Sequence, residues 1–269
     1  MSIAAIAAIA ADRTVLELKM YFRERDSVVF SFLFPVVMLS LFAAVFGDSF
    51  ESGGSPVSAA QFFLPGMVAG GVMLTSFQTL ALSVAMERDD GTLKRLRSNP
   101  MPPAAYFLGK VGLVAATSIG QMALLLLVAR FVFDVPLPTT ASAWATFAWV
   151  FLLGIASGTV LGIAYSTLAG SAKSASAVVI GPLLVLQFIS GVYFAYGDIP
   201  PWMQQVAALF PLKWVAQGMR SVFYPAAMET QEVASAWEHP MVALVLILWL
   251  VAGLVLCTRT FTWFKRGSV

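Results

Sequence analysis

Residues 87–97 read ERDDGTLKRLR and carry seven charges: Glu87, Arg88, Asp89, Asp90, Lys94, Arg95 and Arg97. The residue types that do covalent chemistry are otherwise sparse. Gly109 and Lys110 form the one Gly-Lys pair, but Val111 follows. Ala104 stands where a G-x-x-x-x-G-K-[ST] phosphate loop needs its first glycine. Residues 154–158 read GIASG, which puts the serine off its place in a G-x-S-x-G nucleophile elbow. His239 is the only histidine and begins an apolar run beside Pro240, without partners at metal-ligand spacing. Cys257 is alone and cannot form an intrachain disulfide. We therefore expect no catalytic residue, no metal site and no directly bound cofactor. If ATP drives this protein, ATP and Mg bind on another chain.

The elements that must position the charged run are hydrophobic. Of 269 residues, 59% are hydrophobic and 11% charged, against about 25% charged in ordinary soluble domains. The mean hydropathy is +0.84. A soluble enzyme and a disordered chain are excluded, leaving an all-α polytopic membrane protein in a single transmembrane domain, 1–269. Charge-free stretches of about 20 residues or more place spans at 28–47, 61–86, 107–132, 143–168, 174–195 and 240–262. Residues 199–212 are too short to cross and are bracketed by Pro200, Pro201 and Pro211. They predict a re-entrant or interfacial segment within 196–224, buried in protein or lining a watery cavity.

Six crossings put both termini on one side. That side carries 13 basic residues against 3 opposite, with acidic residues split 7 and 7. The positive-inside rule makes it cytoplasmic. Residues 12–26 predict an amphipathic helix lying in the interface plane. Val15, Leu18 and Phe22 form its apolar stripe, with Leu16 and Met20 beside it, and Arg13 pairs with Glu17 on the polar side.

No expected span centre holds Asp, Glu, Lys, Arg or His, which disfavours a proton-coupled carrier. Residues 87–97 are too charged to enter hydrocarbon and predict one short cytoplasmic helix. Leu93 and Leu96, three apart, share a small apolar face. Composition alone leaves this helix either a solvated loop or a docking element for a partner. Within the spans, Gln78, Gln121, Tyr165, Gln187, Phe188, Tyr193 and Tyr196 are candidates to line a pathway; helix packing or lipid contact is the alternative for each. Gly154, Gly158 and Gly162 predict a close-packing seam.

Three blocks carry a family resemblance. They are FRERDSVVFSFLFPVVMLSLFAAVFG at 22–47, ERDDGTLKRLRSNPMPPAAYFLGK at 87–110 and SGVYFAYGDIPPWMQQVAALFPLKWVAQGMR at 190–220. In order and topology the chain resembles the type-2 ABC transporter permeases, the group containing daunorubicin-resistance and nodulation-factor exporters. The resemblance implies a bacterial cell-membrane exporter with two permeases, identical or paralogous, and two cytoplasmic ABC ATPase subunits. It makes Glu87, Arg88, Asp89, Asp90, Gly91, Thr92, Leu93, Lys94, Arg95 and Leu96 the coupling helix that docks on the ATPase. It makes 190–220 a re-entrant pair capping the pathway outside. The implied cargo is a small hydrophobic or amphipathic compound, drug- or lipid-like, in contact with membrane lipid; no nucleic-acid partner is expected. Export of a lipid-linked glycan or envelope component, and a non-transporting scaffold or sensor of an ATPase complex, stand as alternatives.

Overall fold

The computed structural model describes residues 2–98 and 102–261. Residues 99–101 of the second block, position 262 of the last expected span, and two of the 13 basic residues counted above, Lys265 and Arg266, lie outside the described residues. Among the described residues every regular element is helical. The first, α1 (Ile3–Arg23), is capped by the Ser2 hydroxyl. Glu24 interrupts the helix, and α2 (Arg25–Ser52) follows. Next come α3 (Ala59–Met73), a π-helical turn (Leu74–Thr79) and α4 (Leu80–Asp89), which form one continuous rod. Short α5 (Thr92–Ser98) leads to α6 (Pro103–Phe131) and α7 (Ala141–Tyr165), and then α8 (Ala172–Ile189). Two further short helices, α9 (Pro201–Ala208) and α10 (Pro211–Phe223), precede α11 (His239–Thr260).

Six of these elements are long and apolar enough to cross a membrane: α2, the α3–α4 rod, α6, α7 with its 3-10 extension, α8 and α11. The chain is an all-α polytopic membrane protein. Helix starts follow from local chemistry. Ser58 and Thr140 accept amide protons at the starts of α3 and α7, and a Ser171–Ser174 capping box opens α8. Proline occupies the first turn of α6, α9 and α10, where its missing N–H costs nothing. The α3 helix is the centre of the bundle, buried at almost every position. In contrast α2, α8 and α11 expose apolar faces such as Val37, Val185 and Leu248.

Because the helices alternate in direction, one end of the bundle collects the basic residues of α1, α4, α5 and Lys173. We call it the basic end and its opposite the distal end. The α9–α10 pair enters from the distal end and returns. Leu209, at its apex, accepts a hydrogen bond from Trp249 Nε1 at 2.7 Å. Trp249 lies ten residues into α11, about 15 Å along the axis. Going back outward, Val215 meets the position of Gly154, Gly218 meets Val150 and Val242, and Ser221 bonds His239 at 2.8 Å. The segment 196–224 thus contains a helical hairpin tucked into the distal end of the bundle, and its returning arm, α10, is buried along its length.

Several sequence expectations change. The fifth span, expected to reach 195, ends at Ile189, because the chain turns at Gly191 with φ +75°. The single helix expected over 87–97 is two: α4 runs to Asp89, Gly91 turns the chain at φ +77°, and α5 starts at Thr92. A left-handed residue of this kind ends helices and suits glycine. The interface helix begins at Ile3 rather than 12. Its Arg13–Glu17 pair, expected in water, is buried against α6, while Val15, Leu16, Met20 and Phe22 are exposed. Glycines on α6 admit this contact: a Cβ on Gly112 would stand 2.4 Å from Thr14 Oγ1.

The Gly154, Gly158 and Gly162 seam lies where α7 crosses the π turn and α10. A Cβ on Gly158 would sit 2.1 Å from Ser76 Oγ, and one on Gly162 2.8 Å from the Phe77 carbonyl. We expect Gly158→Val to cost about 1–3 kcal/mol through overpacking. A thermal shift in detergent checks this; an unchanged midpoint would show that the seam can open.

Candidate functional site

At the basic end a neutral cluster of four charges is buried. Lys110 is fully buried, at the fourth position of the expected third span. Its ammonium donates to Glu17 Oε2 at 2.9 Å, Ser83 Oγ at 3.1 Å and Glu87 Oε1 at 2.5 Å. Arg13 closes on the other oxygen of Glu17 at 2.5 Å. The Tyr106 hydroxyl donates to Glu87 Oε2 at 2.8 Å, and both cations lie 5.7 Å from the Tyr106 ring centre. Two cations match two carboxylates, as burial demands. The cluster ties three elements together: α1 through Arg13 and Glu17, α4 through Glu87, and α6 through Lys110 and Tyr106.

Consecutive residues extend the tie. Arg88 donates to the carbonyls of Ser166 and, at 3.0 Å, Ala169 in the corner between α7 and α8. Asp89 Oδ2 accepts the Ala172 amide at 3.0 Å, at the start of α8. So Glu87, Arg88 and Asp89 hold the end of α4 to different parts of the bundle. Beyond them Asp90 Oδ1 accepts the Thr92 amide at 2.8 Å and starts α5. Lys94 and Arg95 are exposed on α5, and Gly91, Thr92 and Leu96 are partly so. Leu93, expected on the outward apolar face with Leu96, is fully buried. The reason is the turn at Gly91, which folds α5 back onto α4. Of the ten coupling candidates, the outward ones are therefore Asp90, Gly91, Thr92, Lys94, Arg95 and Leu96.

Beside this corner lies a cleft of about 380 Å³ between α1, α2, the π turn, α4 and α6. Gln78 faces it from the π turn, together with Thr75 and Thr79. The other pathway candidates are not gathered there. Gln121 is buried between α2 and α6 and donates to the Ser31 carbonyl. Tyr165 packs its ring 5.3 Å from Phe77. At the distal end Tyr193 donates to Gln187 Oε1 at 2.7 Å, and Phe188, exposed, lies 5.2 Å from the Tyr193 ring. Tyr196 donates to the Gln204 carbonyl at 2.7 Å. Burial pushes its phenol up to about 12, so it remains a neutral donor at physiological pH. Gln121, Gln187, Tyr193 and Tyr196 are thus committed to contacts within the chain.

The distal hairpin is held by its own polar ties. Arg220 pairs with Glu232 through two nitrogens. Gln217 donates to the Trp237 carbonyl at 3.1 Å and to Glu238 at 3.0 Å. Lys213 lies 3.9 Å from Glu238 and 3.3 Å over the Trp214 ring centre. The sequence reading missed both the buried cluster and the Arg220–Glu232 pair. A lysine inside an expected span was the available signal for the first. The second joins residues twelve apart across a turn and left no periodic trace.

With this arrangement in view, comparison with known proteins defines the class. A profile of the ABC-2 type transporter family matches residues 14–224. This chain belongs to that family and is the membrane component of an ABC transporter, multi-pass and without strands among the described residues. The inner membrane transport permease YadH of Escherichia coli K12 is 23% identical over 192 residues, covering 70% of this chain and 73% of YadH. YadH of Shigella flexneri shows the same identity and coverage.

Proposed function

We propose that the chain is the permease subunit of an ATP-driven exporter of hydrophobic or amphipathic compounds, with both termini in the cytoplasm. ATP and Mg bind on separate ATPase subunits, two per complex, each meeting one of two permeases. The observation that carries the reading is the α4–α5 corner. Its inward side is anchored to α1, α6, α7 and α8, while Lys94 and Arg95 project outward. Such an element can receive motion from a docked partner and deliver it to several spans together. The basic end is then cytoplasmic, and the α9–α10 hairpin caps the route outside. A scaffold without transport gains nothing from the cleft beside this corner, which favours the exporter.

The experiment is native mass spectrometry of the chain co-expressed with its cognate ABC ATPase, paired with ATPase assays in proteoliposomes. We expect two permeases with two ATPases and hydrolysis that rises with amphipathic compounds. One permease per two ATPases, or hydrolysis indifferent to every compound, would contradict the reading.

A further inference from the structure

The rod at the centre of the bundle is not one regular helix. Between α3 and α4 the residues Leu74–Thr79 take the π register, with backbone bonds five rather than four residues apart. The two halves of the rod belong to different surroundings. The distal half holds α3: Gln61 donates to the Phe223 carbonyl at 2.8 Å, and Gly66 packs against the backbone of Val192. The basic end holds α4, where Glu87 meets Lys110, Arg88 meets the α7–α8 corner and Asp89 meets the start of α8. A π turn inside a long helix is a place where the helix bends, and it often marks a working joint.

Three features suit this turn to bending. On one side it has room, since Leu74, Thr75, Gln78, Thr79 and Leu80 line the cleft. On the other side it meets bare backbone. A Cβ on Gly162 of α7 would stand 2.8 Å from the Phe77 carbonyl and 3.1 Å from that of Ser76, so no side chain interlocks the two there. Third, backbone groups inside a span need other partners when helical bonds are stretched, and nearby hydroxyls supply them. Thr75 donates to the Gly71 carbonyl at 3.1 Å, Ser76 to Val72 at 2.6 Å, and Thr79 to Leu74, five residues back, at 2.9 Å. We infer that the π turn is a joint at which α4 swings against a fixed α3, so that a push on the α4–α5 corner arrives as a bend of the rod. The ten residues of α4 span about 15 Å. A change of about 20° at the turn, within what π turns support, would carry Asp89 by roughly 5 Å.

This inference rests on the exporter reading and names its moving part. The test uses the full-length chain assembled with its cognate ABC ATPase in lipid nanodiscs. Hydrogen exchange, read by mass spectrometry, is compared between nucleotide-free and vanadate-trapped complexes. We expect rates over 74–80 to change at least about tenfold, while 60–73 stays protected in both states. Equal rates over 74–80 in the two states, or a change running evenly along 60–89, would overturn the joint. Deleting Phe77 tests it by stiffening the rod. A π turn holds one residue more than an α-helical path, so this deletion should restore a plain helix and leave Glu87 facing Lys110. Deleting Leu82, inside regular α4, instead turns Glu87 about 100° away. The Phe77 deletion should therefore melt near the wild type and the Leu82 deletion well below it. At matched expression the Phe77 deletion should still lose efflux by more than about tenfold, because the moving step is gone. Phe77→Leu keeps the turn and should retain most efflux. A Phe77 deletion that melts as low as the Leu82 deletion would overturn the π register on which the joint rests. One that folds and exports like the wild type would overturn the joint itself. A complex that exports with no change over 74–80 sinks the joint alone; a chain that assembles with no ATPase sinks the exporter reading and the joint with it.

Discussion

Lys110→Met should destabilise the permease by about 3–5 kcal/mol, because it leaves Glu17 and Glu87 buried with one cation between them. Methionine keeps most of the stem volume, so the loss is electrostatic rather than a packing void. The sharper expectation concerns the compensated variant. Glu17→Gln, Glu87→Gln and Lys110→Met together with Arg13→Met remove every charge of the cluster. Continuum reasoning for buried ion groups makes such a replacement close to neutral in stability. The quadruple variant should therefore insert and melt close to the wild type, where the single variant does not. It should nonetheless transport poorly if α1, α4 and α6 must move as one body. Melting in detergent and efflux at matched expression separate the two effects. Full efflux by the quadruple variant would reduce the cluster to a stabilising feature.

The second large effect belongs to the docking corner. Gly91 has φ +77° and open space around its would-be Cβ. Proline fixes φ near −65°, so Gly91→Pro cannot keep the turn. No span is touched, and the permease should still insert. The direction of α5 would change, and with it the place of Lys94 and Arg95. We expect loss of ATPase-driven efflux by more than tenfold, in line with interface anchors that cost ~2 kcal/mol or more. Gly91→Ala separates strain from redirection. It places an L-residue in the left-handed region at a cost of about 1–2 kcal/mol, with no clash, and should lose less. Efflux that survives Gly91→Pro would show that the turn does not aim a docking surface.

How far the sequence carried the fold follows from where the information is local. Span number, helix class and the non-spanning 199–212 segment rest on runs of hydrophobicity and on proline, which a single sequence displays. Gly91 and Gly191 both turned out to break elements expected to continue. Glycine permits a left-handed turn without requiring one, so only the packing of α5 on α4 and of 190–192 on α3 decides it. The contact is close: a Cβ on Gly66 would stand 2.1 Å from the Val192 carbonyl. The inward burial of Arg13 and Glu17 was illegible for a related reason. An amphipathic helix shows which residues share a face, but not whether the polar face meets water or a buried lysine on another helix. Lys110 lies 93 residues from Glu17. Pathway candidates picked by residue type alone scattered over both ends, because glutamine and tyrosine serve equally as interhelical ties and as lining.

The claim that the α5 face meets an ATPase in the cytoplasm has a direct test. In a Cys257→Ala background, Lys94→Cys places one thiol on the exposed side of α5. A membrane-impermeant maleimide should label it in inside-out vesicles and not in intact cells. Bound ATPase should then slow that labelling at least about tenfold, as burial in a docked interface requires. Labelling from the cell exterior, or a rate unchanged by saturating ATPase, would contradict the account.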